Sequence, residues 1–171
     1  MKMNELFSWI KTIVLAVVIA VFINSVVIVN ATVPTGSMEN TIMPGDRIIA
    51  LRLTYYFSEP QRGDIVVFKY PDDESTLYVK RVIGLPGETV EVKDGKVYIN
   101  GADKPLNDDF VKDEPVGDYG PYEVPEDCYF MMGDNRNNSL DSRFWVNKYV
   151  QKNKILGKVY FKYFKGFEML N

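Results

Sequence analysis

Hydrophobic positions fall into two regimes along the 171-residue chain. From Ile13 to Val29 they are continuous, interrupted only by Asn24 and Ser25. With its flanks this run approaches the roughly 20 residues that an α-helix needs to cross the hydrocarbon core of a bilayer. After Val29 the pattern changes to short β-branched and aromatic runs separated by Gly, Pro and Asp: DRIIALRLTYYF, GDIVVFKY, LYVKRVIGL, TVEVKDGKVYING, CYFMMGD and ILGKVYFKYF. Such runs predict strands. In VEVKDGKVYI, Asp94-Gly95 sits between two alternating runs and predicts a two-residue hairpin turn, because Gly tolerates positive φ. Long helical periodicity, internal repeats and low-complexity linkers are absent from the sequence after Val29. One N-terminal helix followed by a mainly β body is the expected architecture.

The polar flanks orient the apolar run. Lys2 and Lys11 precede it and few positive charges follow closely, so the positive-inside rule places the N-terminus in the cytoplasm. The chain then divides into a cytoplasmic N-terminus at 1–11, a transmembrane anchor at 12–30 and an extracytoplasmic body at 31–171. A cleavable secretory signal is the rival reading, since Val29-Asn30-Ala31 offers small residues at the −3 and −1 positions of a cut. The run is longer than a usual signal core, which favours retention. A core helix would need amphipathic partners, and nothing later in the chain supplies them.

Composition narrows the chemistry. The length suits one compact domain with a core that needs no disulfides, and a lone Cys128 cannot form one internally. With no histidine and one cysteine, zinc sites of the usual kinds are excluded, and no loop has calcium-site spacing. A net charge of −3 argues against a nucleic-acid partner. The charge is unevenly spread: residues 101–127 carry nine acids, whereas Arg143 to Lys165 carries seven basic residues and no acid. The acidic stretch reads as a solvated excursion at about 103–125. Alternating Lys with Tyr and Phe in KVYFKYFK reads as a half-exposed strand, with an anionic membrane surface as the other possibility.

One short stretch, VPTGSMENT, raises a chemical question: Gly36 precedes Ser37 just past the apolar run, yet no imidazole exists to activate a serine. An ionised aspartate is a weak base, whereas a desolvated lysine can act as a neutral amine. Lys80 in LYVKRVIGLPGE is the candidate. In a strand, Tyr78 and Lys80 share one face, and Val79 and Arg81 the other. Taken singly, each residue has a plainer reading. Ser37 could be a turn residue, Lys80 an edge-strand surface lysine, and Ser139 a turn cap.

Four motifs occurring in order, VPTGSM, RGDIVVF, YVKRVIGLPGE and GDNRNNSLDSR, closely resemble the type I signal peptidases, membrane-bound serine/lysine proteases. The resemblance runs from about residue 7 to about residue 164. It implies an antiparallel β-sheet catalytic body with a small inserted β-subdomain. It also implies removal of N-terminal signal peptides from exported precursors, after small residues at −1 and −3, at the outer face of the cell membrane. No cofactor is implied; the partners are signal peptides and the lipid bilayer. Ser37 is the implied nucleophile and Lys80 the general base. Thr35, with the Ser37 N–H, forms the oxyanion hole, and Ser139 orients the lysine. Arg81, Asp134, Asp141 and Arg143 are implied structural support; alternate residues on one strand face would equally make Asp141–Arg143 a plain salt bridge. Val33, Pro34, Met38, Ile42, Ile48 and Val79 align with residues lining the shallow substrate pockets, although as apolar residues they suit the core equally well.

Two departures stand out. Val146 replaces a glycine usual after DSR-F-W, and the link from Trp145 to Gly157 is slightly longer than usual. Two other functions compete. A non-catalytic membrane-anchored β-module would leave the paired motifs to chance, and a self-cleaving repressor of the related fold would need a nucleic-acid-binding domain in place of the anchor.

Overall fold

The computed structural model describes residues 3–163 and 166–170. Lys2 and Lys165, used in the charge patterns above, and Phe164, the last residue of the ILGKVYFKYF run, lie outside the described residues. Helix α1, Met3–Phe22, continues as a wider turn over Ile23–Val27. The span Glu5–Val27 has a mean hydropathy of 2.5 and none of it is buried in the body. Its polar side chains close on their own backbone, Thr12 Oγ1 donating to the Ser8 carbonyl and Asn24 Nδ2 to the Ala20 carbonyl. The helix thus starts well before Ile13. It also stops before Val29, because Ile28 onward finds a strand partner inside the interval expected for the anchor.

The body consists of antiparallel strands: β1 Ile28–Thr32, β2 Arg47–Leu51, β3 Ile65–Tyr70, β4 Asp73–Gly84, β5 Thr89–Lys93, β6 Lys96–Ile99, β7 Tyr119–Glu123, β8 Cys128–Met132, β9 Val150–Gln151, β10 Ile155–Tyr163 and β11 Glu168–Met169. The main sheet runs β1-β2-β10-β3-β4-β8-β9, with β11 also paired to β10. A second sheet, β6-β5-β7, forms the small inserted subdomain. Its hairpin closes as expected: Lys93 pairs with Lys96, and Asp94 and Gly95 both take positive φ, 49° and 74°, as a twist-compatible two-residue turn requires.

Two expectations change. The run RLTYYF does not extend β2; Thr54–Phe57 forms a one-turn helix, α2, closed by Ser58 donating through N–H and Oγ to the Thr54 carbonyl. Tyr56 and Phe57 stay exposed there, so the aromatic run has no sheet face to fill. The acidic stretch is not solvated throughout, because its end supplies β7 and its middle packs on the main body. Strand β10 alternates buried Ile155, Gly157 and Val159 with half-buried neighbours, as KVYFKYFK suggested.

Three apolar clusters hold the body. The one that positions the site gathers Val29 and Val33 from the β1 side, Met38 and Ile42 from the following loop, and Ile48, Ala50, Ile65, Val67 and Val159 from three strands.

Candidate active site

The loop from Val33 to Asp46 joins β1 to β2 and is closed at its base. The Val33 N–H donates to the Asp46 carbonyl at 2.9 Å and the Gly45 N–H to the Val33 carbonyl at 2.8 Å. Within it, the Glu39 N–H reaches the Gly36 carbonyl and the Ile42 N–H the Met38 carbonyl. Val33, Met38 and Ile42 are buried, so the loop is anchored by its apolar side chains and Ser37 is held between Val33 and Met38.

Lys80 lies in β4 opposite Val66 of β3. Its side chain is buried, and Nζ stands 2.6 Å from Ser37 Oγ and 3.1 Å from the Val79 carbonyl. Burial pushes its pKa down from 10.5 to about 8, against an upward pull from the carboxylates of Asp141 and Asp134. Desolvation prevails because both carboxylates are already engaged by arginines. The ring of Tyr78, on the same strand face, has its centroid 5.3 Å from Nζ. A serine hydroxyl in contact with an amine that sheds its proton near neutrality is what nucleophilic attack requires.

Thr35 Oγ1 lies 3.5 Å from Ser37 Oγ. Ser139 lines the same cavity, of about 470 Å³, with Thr35, Ser37, Tyr78 and Lys80. Its hydroxyl, however, is buried without a hydrogen-bond partner among the described residues, and the amine of Lys80 is held by Ser37 and the Val79 carbonyl instead.

The four expected charges form two buried pairs. Arg81 grips Asp134 through Nε at 2.8 Å and Nη2 at 2.6 Å, and its Nη1 donates to the Gly63 carbonyl. Arg143 grips Asp141 with two bonds of 2.8 Å. This second pair is formed across a turn, with the Arg143 N–H also directed at Asp141, rather than along a strand. Asp141 in addition accepts from the Gly133 N–H.

The expected pocket residues divide. Met38, Ile42 and Ile48 have no exposed surface and Val33 is nearly as buried; all four belong to the apolar core cluster and none of them lines the cavity. Val79 is half-buried and Pro34 exposed. The cavity walls include Asn137, Asn138, Leu140 and Phe144, which sequence reasoning did not select. It also missed Asn135, whose N–H donates to the Ser37 carbonyl at 3.1 Å and whose Nδ2 donates to the Gly36 carbonyl at 3.0 Å. The motif GDNRNNS contains it, but no local pattern tells which of its asparagines turns toward the serine. No group of three or more metal-ligating side chains occurs among the described residues.

An antiparallel β body with a serine and a buried amine in one cavity, behind an apolar N-terminal helix, is an arrangement that suits a β-sheet peptidase. Residues 6–164 match the family described as signal peptidase, peptidase S26. The chain belongs to that family of hydrolases. It is 40% identical to a signal peptidase I of Bacillus licheniformis, covering 95% of this chain and 91% of the relative. It is 42% identical to a signal peptidase I of Leptolyngbya laminosa, covering 91% and 78%. The crystal structure of a signal peptidase I from Enterococcus faecalis V583 matches 59% of this chain and 97% of its own, with 34% identity and a TM-score of 0.51. Signal peptidase I activity follows from these likenesses.

Proposed function

We propose that the chain is a membrane-anchored serine endopeptidase that removes signal peptides from exported precursors through Ser37 and Lys80. The observation that carries this reading is the 2.6 Å contact between Ser37 Oγ and a buried Lys80 Nζ. An extended precursor segment lies in the cavity along β4. Neutral Lys80 takes the Ser37 proton as Oγ attacks the scissile carbonyl. The resulting ammonium gives that proton to the leaving amine, and the freed amine then activates the water that hydrolyses the acyl-enzyme. The Ser37 N–H and Thr35 Oγ1 receive the oxyanion, and rotation of Ser139 directs its unpartnered hydroxyl to Lys80 Nζ.

Helix α1 anchors the body in the bilayer with the N-terminus inside, since Lys11 precedes the apolar stretch. Protease added to intact cells checks this orientation by digesting the body beyond residue 31 and sparing the N-terminus.

Tyr78, Leu140 and Phe144 wall the cavity beside Ser37, so small side chains at −1 are favoured and a large one would have to displace them. The full chain in detergent is therefore expected to cleave a precursor with Ala or Ser at −1 and to leave its Leu and Phe variants intact. Efficient cleavage after Phe removes the reading.

The amine must be neutral to act, so kcat/KM is expected to rise with pH and level off above about 8, the depressed value of Lys80. The sign follows from the direction of the shift: burial favours the unprotonated, active form. A profile flat from pH 6 to 9 contradicts the lysine-base role.

Thr35→Val keeps the shape and loses the donor. It is expected to lower kcat by about 10² to 10³ with little change in KM, the scale for one oxyanion donor. A near-normal kcat in this variant assigns Thr35 to the turn alone.

A further inference from the structure

The segment between β6 and β7 makes three contacts, from every second residue, with three separate parts of the catalytic apparatus. Asp108 accepts from Arg136 Nη1 at 2.6 Å, in the GDNRNNS segment. The ring of Phe110 lies 3.9 Å from the guanidinium of Arg81, the residue next to Lys80. Lys112 Nζ lies 3.0 Å from Glu39 Oε2, on the nucleophile turn, and its N–H donates to the Asp134 carbonyl.

Glu39 passes the last of these contacts on to the serine. The same Oε2 accepts from Asn135 Nδ2 at 3.2 Å, and Asn135 holds the carbonyls of both Gly36 and Ser37. The Glu39 carboxylate also lies so close over Gly36 that a Cβ there would collide with it. A chain of contacts therefore runs Lys112, Glu39, Asn135, Ser37.

We propose that residues 108–112 are a positioning clamp for the peptidase reaction, and that Lys112 sets the nucleophile turn through Glu39 and Asn135. Without the clamp the turn keeps its bonds from Asn135 and from Thr41 to Asp134, but the Glu39 carboxylate loses its cation and the geometry between Ser37 Oγ and Lys80 Nζ is held less tightly. Asp108 and Phe110 act on the other side of that distance. Asp108 neutralises Arg136, whose side chain is buried, and Phe110 covers the Arg81–Asp134 pair beside Lys80. The inference rests on the Ser37–Lys80 reading above. A clamp of this kind acts on geometry in the bound complex, so its loss falls on kcat while KM and folding stay unchanged.

The test uses the purified full chain in detergent with a precursor substrate. Lys112 is 43% exposed on its side chain, so its replacement leaves the fold intact. Lys112→Met, which keeps length and loses charge, is expected to lower kcat about fivefold, the scale of one partly exposed ion pair. KM and the unfolding midpoint should stay as in wild type. Lys112→Arg restores the charge and should return kcat to within about twofold of wild type, since any guanidinium–carboxylate pair of this exposure is of similar strength. A Lys112→Met enzyme with unchanged kcat, or an arginine variant as impaired as the methionine one, overturns the clamp. Ser37→Ala in the same assay separates the two readings. Processing that survives it removes the serine mechanism, whereas processing that needs Ser37 and ignores Lys112→Met removes the clamp alone.

Discussion

Ser37→Ala and Lys80→Ala are each expected to abolish precursor processing. Loss of a serine protease's nucleophile costs on the order of 10⁶ in kcat, and the double variant should be little worse than either single one, because the two groups act as a unit. The reasoning starts from the 2.6 Å contact between Oγ and Nζ. The chain has no histidine, and among the described residues Lys80 is the base in hydrogen-bond contact with the hydroxyl. Carboxylates are near, but Asp134 and Asp141 are each locked in a two-bond grip by an arginine. Lys80→Arg should be as inactive as the alanine variant, since a guanidinium does not deprotonate. Cleavage assays on the purified variants, with circular dichroism to verify folding, decide the matter. Processing retained by Ser37→Ala or Lys80→Arg would falsify the assignment.

Arg81→Leu is expected to produce the largest loss of stability, about 3–5 kcal/mol, the scale for removing one partner of a buried ion pair. Asp134 has no exposed surface, and it keeps only the hydroxyl of Thr41 among side chains once the guanidinium is gone. Its charge would then have to be carried in the interior or neutralised by protonation. Loss of the Arg81 bond to the Gly63 carbonyl and of its stacking under Phe110 adds to the effect. Arg81→Lys keeps the charge without the planar fork and should fall between the two. Denaturant unfolding of the body measures all three. An Arg81→Leu midpoint equal to wild type would show that the pair contributes nothing net.

The elements legible in the sequence were those written in local chemistry. Asp94-Gly95 carries its turn in two adjacent residues, and the alternation in β5 and at the start of β10 reports which side of the sheet each residue meets. Ser37 and Lys80 could be singled out because the chain has no histidine and because their motifs coincide. The remainder depends on contacts between distant segments. Nothing in TYYF distinguishes a strand from the short helix α2; the exposure of Tyr56 and Phe57 decides, and that is set by what the rest of the body leaves uncovered. Met38, Ile42 and Ile48 read equally as pocket or core, and only the packed structure places them in the core. The side chains of Asn135 and the 108–112 segment act across separations from 28 to 99 positions, where no periodicity reaches.

The join between α1 and β1 has a consequence of its own. Strand β1 starts at the residue after the helical turn ends, and the N–H of Arg52, just past β2, caps the Val27 carbonyl, so no flexible tether separates the span from the sheet. Ten residues lead from Val27 to Ser37, and at about 3.3 Å per extended residue they can reach no farther than some 30 Å. On the anchoring proposed above, which would set α1 in the bilayer, the strand would work as a spacer of fixed height. A precursor whose own apolar segment lay alongside would then have to present its scissile bond at that height, so the depth at which a chain sits in the membrane would become a second criterion of selection, independent of the side chains at the cut.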